Sequence, residues 1–301
     1  MNYSPIVIFA HNRPKHLNNL IKSLETNKES TNSTLFIYID KNKDKENENL
    51  NKEVVEVSNK NWNFHKVEVI LREENLGLKN NILSGITEVL NKHKKIIVLE
   101  EDLVVSETFL NYMNLALNKY EEEKNVWHIS GYSLDTLLNN NKGTYFTQEM
   151  YCWGWATWID RWENLDRNLE NKLHESDQKI IKRFNFYGLN KNNHNQLILN
   201  DESIIKTWAI YWYQYIFLND GLCLNPSKSL VKNMGFDGSG EHNSTNRFYK
   251  INKLNQSSSF NFQNKLSKSK VYELFISIKY IKKNVKEYFS YHLSKLKKVH
   301  K

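Results

Sequence analysis

The sequence predicts an α/β fold built around a mostly parallel sheet, and three observations predict it. Apolar runs of strand length alternate with stretches of helical spacing five times within the first 130 residues. The lengths between the runs suit right-handed crossovers. Ile96-Ile97-Val98-Leu99 passes directly into Glu100-Glu101-Asp102, as a strand buried on both faces does where it leaves a sheet.

Pro5 to Ala10 is the first apolar run, with Asn12 a candidate N-cap and Pro14 in the first turn of a helix marked by Leu17, Leu20, Ile21 and Leu24. Leu35 to Ile39 reads as a second strand ending at Asp40, followed by a weak helix around Leu50 to Val57. Val67, Val69 and Leu71 alternate as a third strand. Leu78, Ile82, Ile86 and Val89 are helically spaced and lead to the acid-terminated strand. Phe109, Leu110, Met113 and Leu117 mark the next helix, and a strand follows around Val126 to Ser130. Beyond residue 130 the chain changes character: Trp and Tyr cluster, one helical stretch runs from Ile204 to Leu218, and Gly and Ser enrich Gly235 to Ser244. The domain expectation is 1–262, divided into a nucleotide-sugar half over 1–130 and an acceptor half with a closing loop over 131–262. A basic amphipathic helical tail over 263–301 completes it.

Bulk properties narrow the function. The net charge of +8 is concentrated in Lys265 to Lys301, where eleven lysines and two acids give +9, so the remainder is close to neutral. A nucleic-acid-binding face on the main domain is therefore not expected. In the tail, Val271, Leu274, Phe275, Ile278, Ile281, Val285, Phe289 and Leu296 recur near helical spacing among the lysines, which suits either an anionic bilayer or packing on the domain. Two cysteines, Cys152 and Cys223, cannot form a disulfide framework. No signal peptide or membrane-spanning run is evident, so the expected location is cytoplasmic, peripheral on the inner face of the cell membrane if the tail binds lipid. Aromatics make up 13% of the chain and concentrate between Tyr145 and Tyr213, which suits a pocket for a sugar ring or an aromatic core.

The acids after Leu99 carry the chemistry. Ligands of open α/β sheets bind at the carboxyl ends of the strands. Three adjacent carboxylates repel one another unless a divalent cation, shared with phosphate oxygens, offsets the repulsion. Several further blocks occur in the order expected of one family. Ile6-Val7-Ile8-Phe9-Ala10-His11-Asn12-Arg13, Asp40, Asn75-Leu76-Gly77-Leu78-Lys79, Glu100-Glu101-Asp102, Tyr151-Cys152-Trp153-Gly154-Trp155-Ala156-Thr157-Trp158 and Asn233-Met234-Gly235-Phe236-Asp237-Gly238-Ser239-Gly240-Glu241-His242 together resemble the GT-A fold glycosyltransferases. The nearest branch is that of eukaryotic N-acetylglucosaminyltransferase I and its bacterial surface-polysaccharide relatives, family 2-like. The resemblance runs from about Pro5 to His242.

It implies a Rossmann-like nucleotide-binding sheet and a metal-dependent, inverting transfer from a UDP-sugar to a glycan or lipid-linked glycan, with Mn2+ or Mg2+ as cofactor. Capsule, lipopolysaccharide or O-antigen synthesis is the implied setting. Ala10, Asn12, Arg13, Asp40, Gly77, Lys79, Glu100, Glu101, Gly240 and His242 would line the donor. Asp102 would be the metal ligand, joined by His242. Trp153, Gly154, Trp155, Asp237 and Glu241 would form the sugar and acceptor pocket.

The pattern departs at the catalytic base. The family's Trp-Asp-Asp-Trp stretch aligns with Trp208-Ala209-Ile210-Tyr211, where neither Ala209 nor Ile210 can take a proton. Asp201 and Glu202, read as the start of the aromatic helix, are the substitutes, with Asp237 and Glu241 next. Two alternatives remain. A sugar-nucleotide nucleotidyltransferase would need a Gly-rich loop where His11-Asn12-Arg13-Pro14 stands, and a catalytically silent carbohydrate-binding protein would need no base.

Overall fold

The computed structural model describes residues 3–43, 47–134, 141–165, 170–173, 176–237, 251 and 253–299, with side chains described to 290. An eight-stranded sheet forms its centre, in the order β3-β2-β1-β4-β8-β6-β9-β7. β1 (Ile6–Ala10), β2 (Thr34–Ile39), β3 (Lys66–Leu71) and β4 (Lys95–Glu100) pair in parallel through three crossover helices, α1 (Pro14–Glu25), α2 (Glu48–Ser58) and α3 (Gly77–His93). β1 and the interiors of β2 and β4 are apolar because both faces are covered, whereas β3, at the sheet edge, carries Lys66 and Glu68 and is only partly buried. Ile6, Ile8, Leu35, Ile37, Ile97 and Leu99 join one core with α1 and α2, whereas the alternate residues Val7, Phe9, Phe36, Tyr38, Ile96 and Val98 join another with α3.

After β4 come the short β5 (Leu103–Val105), α4 (Phe109–Lys119) and β6 (Val126–Ser130). The second half completes the sheet with mixed directions. β7 (Thr144–Thr147) runs antiparallel to β9 (Leu222–Pro226), and β8 (Trp155–Trp158) is inserted antiparallel between β4 and β6. β10 (Val231–Asn233) pairs antiparallel with β5 as a separate two-stranded sheet. Helices α5 (Ile159–Trp162), α6 (Gln178–Phe184), α7 (Asn192–Asp201) and α8 (Ala209–Leu218) lie between β8 and β9.

Several expectations need correction. Residue Arg13, not Asn12, occupies the N-cap of α1, and it makes no side-chain cap. The stretch from Ile204 to Leu218 is not one helix. The Asn200 side chain donates to Thr207 Oγ1 (2.8 Å) and accepts from Thr207 N (3.0 Å), while Ser203 takes a left-handed φ of 57°. These bonds hold 202–208 in a turn, and the aromatic helix starts only at Ala209. Asp201 and Glu202 therefore lie at the C-terminal end of α7 and not at the start of α8. Trp155, expected in the sugar pocket, is 1% exposed and stacks between His128 and Trp208 at ring separations of 5.1 and 5.5 Å. It is core.

The tail forms α9 (Lys270–Val299). Ile276 and Tyr280 are buried against Tyr132, Tyr145 and Phe186, and Tyr272 stacks on Tyr145 at 3.6 Å. No helix among the described residues is long and apolar enough to cross a membrane.

Candidate active site

The strand order reverses between β1 and β4, and the loops leaving their carboxyl ends meet there. Glu101 is the organising side chain. Its Oε2 accepts from the His11 backbone N–H (2.8 Å) and its Oε1 from Arg13 Nε (2.8 Å), so both oxygens are engaged. Arg13 Nη1 also reaches Asp102 Oδ2 at 3.3 Å. Burial works against the Arg13 charge, but Glu101 and Asp102 overcome it and hold the guanidinium above its ordinary pKa. Glu100 moves the other way. Burial and then the Asp102 charge raise its carboxyl and favour the protonated form.

Asp40 closes β2. Its Oδ1 accepts from Lys41 N (3.0 Å) and Leu76 N (2.9 Å), which fixes the turn into α3 beside the β2 edge. Gly77 takes φ 71° there, a conformation that favours glycine. Asn51 in α2 donates to His11 O (2.6 Å) and Asp40 O (3.0 Å), tying the exits of β1 and β2 together. Sequence reasoning missed Asn51, because a polar residue inside a polar helix carries no signal until the helix is placed. Ala10 is buried at the end of β1, and Asn12 is half-buried in the loop that follows.

The register of β8 on β4 pairs Trp155 with Val98, which brings the preceding Trp153 and Gly154 to the edge that carries the acids. Gly154 has φ 62°, and its carbonyl accepts from Gly131 N at 2.7 Å. Trp153 packs edge-on against Tyr132 (4.6 Å) and Phe236 (5.7 Å). The segment leaving β10 lies directly over the acids. Met234 N donates to Asp102 O (2.7 Å), and a Cβ added at Gly235 would stand 2.3 Å from Asp102 Oδ2 and 3.2 Å from Arg13 Nη1. Asp237 Oδ2 lies 3.2 Å from His16 Nε2 on the first turn of α1. Gly240, Glu241 and His242 lie outside the described residues.

At the start of α3, Lys79 Nζ sits 4.1 Å from the centre of the Tyr211 ring. Burial lowers the Lys79 pKa, opposed by the charge of Asp201. Asp201 Oδ2 accepts from Asn171 Nδ2 at 3.0 Å, and both Asp201 and Glu202 are exposed. The structure thus brings Asp201, Lys79 and Tyr211 together, joining the start of α3 to α7 and α8. His128, a histidine close to the tryptophan cluster, is not available as a base. Its Nδ1 accepts from Trp212 Nε1 (3.2 Å), and burial pulls it down to about 3, so it remains a neutral core residue.

A model of the family described as Glycosyl transferase family 2 matches residues 6–181, more than half of the 301-residue chain. The chain belongs to glycosyl transferase family 2. The match spans the sheet edge from Arg13 through Asp102 to Gly154, and it ends before Asp201 and the segment after β10. Its mostly parallel sheet is the Rossmann-like GT-A core. Among solved structures, the crystal structure of S. aureus TarS is similar to the glycosyltransferase at 11% identity and a TM-score of 0.35, over 64% of this chain and 34% of that one. The chain therefore spans about a third of TarS. No curated protein matches it.

Among the described residues, no group of three or more His, Cys, Asp or Glu side chains could hold a metal ion. The donor chemistry nevertheless fits a cation shared between one protein carboxylate and a substrate. Glu101 already accepts at both oxygens and Glu100 is biased towards its neutral form, which leaves Asp102 as the acid whose charged partner among the described residues is a single longer Arg13 contact.

Proposed function

We propose that this glycosyltransferase moves a sugar from a UDP-sugar, with inversion, onto a growing surface-polysaccharide glycan, and that Asp102 holds a Mn2+ or Mg2+ ion with His242 as a second candidate ligand. The observation that carries the reading is the fixed Glu101 carboxylate, which accepts from the His11 amide and from Arg13 and so holds Arg13 beside Asp102 at the switch point of the sheet. When bound, the cation would supply positive charge to the departing diphosphate.

The chain's own residues account for the rest. Arg13 carries a permanent charge and planar donors suited to phosphate or uracil oxygens. Asp40, held by two amides, presents its carboxylate at the nucleotide edge together with the Gly77 turn and Lys79. Trp153 and Gly154 line the sugar side, and the segment from Met234 to Asp237 covers the site. A proton must leave the acceptor hydroxyl as the new bond forms. Asp201 is the favoured base, since Asn171 orients it and it shares its surroundings with Lys79 and Tyr211. Glu202 is the second candidate. The acceptor is a glycan, lipid-linked at the inner face of the cell membrane.

UDP-sugar hydrolysis with and without EDTA tests the metal role. Loss of turnover in EDTA, restored by manganese, is expected; activity that persists in EDTA contradicts the role given to Asp102. The position of Ala209 and Ile210, which offer no acid at the start of α8, favours one rival, a silent sugar-binding protein. Manganese-dependent UDP binding with no turnover on any acceptor would establish that rival instead.

A further inference from the structure

Helix α9 has two apolar faces, and the domain uses only one of them. Ile276 and Tyr280 point inward, where the Tyr280 hydroxyl meets Glu149 Oε1 at 3.3 Å, and Asn284 Nδ2 donates to Leu189 O at 3.0 Å. At about 100° per residue, Val271, Leu274, Ile278, Ile281, Val285 and Phe289 fall on the opposite side of the helix. All six are exposed, Leu274 by 59% and Phe289 by 61%. An unbroken apolar stripe on a soluble surface marks a docking face.

We propose that this outer face of α9 lies in the headgroup region of an anionic lipid bilayer, with the domain fixed above it through the Tyr280 and Tyr272 contacts. The proposal rests on the membrane-side acceptor reading above and names the surface that would serve it. Charge complementarity identifies the occupant. Lys282 and Lys286 flank the stripe and are exposed, and the segment from Lys265 onward carries +9. Such a helix lies in the interface plane, with its apolar side chains sunk among the acyl chains and its lysines among anionic headgroups. The heptad-like spacing of the stripe would also suit pairing with a second copy of the helix. That pairing needs flanking charges of opposite sign, and here the flank beside the stripe repeats lysine. Because Ile276 and Tyr280 face the domain and the stripe faces away, lipid binding needs no release of α9.

Sedimentation of the full chain with vesicles tests this. With phosphatidylcholine–phosphatidylglycerol vesicles the protein pellets, and with phosphatidylcholine alone it stays in solution. Val285→Glu in the stripe abolishes pelleting. The paired change Lys282→Gln and Lys286→Gln, made on the solvated flank where folding is not at stake, weakens partitioning about thirtyfold. UDP-sugar turnover on a soluble acceptor stays at the wild-type level in both variants, so a failure of the transferase reading is seen separately. Pelleting with neither vesicle, or equally with both, overturns the proposal. So does a dimer in analytical ultracentrifugation that Val285→Glu dissociates.

Discussion

At the scale of single residues, the site is a set of charges positioned by backbone. Glu101 accepts from the His11 amide and from Arg13 at 2.8 Å each, and its side chain is only 5% exposed. Replacing it by Gln leaves the Arg13 charge half-buried beside a neutral amide. Breaking a buried pair from one side costs about 3 kcal/mol, so Glu101→Gln should lower both the melting temperature and UDP affinity. An unchanged affinity in calorimetry would mean that Arg13 is placed by something else. Gly77 makes a cleaner backbone test, because nothing lies within 4 Å of its missing Cβ while its φ is 71°. Gly77→Ala should cost about 1 kcal/mol through the left-handed conformation alone, measured by denaturant unfolding. A loss of several kcal/mol would point to a contact in place of strain. Asp40 and the acids stood out in the sequence because each follows an apolar strand, and Arg13 because it stands at a helix start. Asn51 and His16 were not, since their roles arise only when two loops meet.

At the scale of elements, legibility follows the packing. β1, β2 and β4 carry apolar runs because both of their faces are covered, and the edge strand β3 alternates, so all four were readable to within a residue or two. β7, β8 and β9 were not readable as a sheet, because their order depends on the insertion of β8 against β4, which local sequence does not encode. The aromatic stretch before α8 read as helix until the Asn200–Thr207 bonds broke it, and that error moved Asp201 from a helix start to a helix end. The join between α9 and the domain carries its own prediction. Burial pushes the Glu149 carboxyl up to about 7 from an ordinary 4.5, against the favourable bonds from Tyr151 and Tyr280. The folded state therefore holds this proton more tightly than the unfolded state. Stability is full below pH 4.5 and falls as pH rises to 7, by an amount on the order of 3 kcal/mol. Glu149→Gln cannot ionise, so its melting temperature should gain on the wild type between pH 5 and pH 8 as this loss develops in the wild type alone. Parallel melting curves across that range would show that Glu149 is not held protonated.

At the scale of the whole molecule, one sheet joins a first half whose elements were legible to a second half that the sequence described only as aromatic. Residues 6–181 belong to the family pattern, and Lys79, Tyr211 and Asp201 connect that part to α7 and α8. The tail read equally well as packed on the domain or bound to lipid. Its structure shows why: the Ile276 face serves the first role, and the opposite face leaves the second open. A ligand that binds the folded form alone raises the melting temperature by mass action. Manganese with the correct UDP-sugar should therefore stabilise the protein more than either does alone. The most direct measurement is calorimetry of UDP binding to wild-type protein and to Asp102→Asn, each with manganese and with EDTA. Tight binding by wild type in manganese alone, lost in Asp102→Asn, is the predicted result, and equal affinity under all four conditions would contradict the assignment of Asp102 as the metal-holding carboxylate.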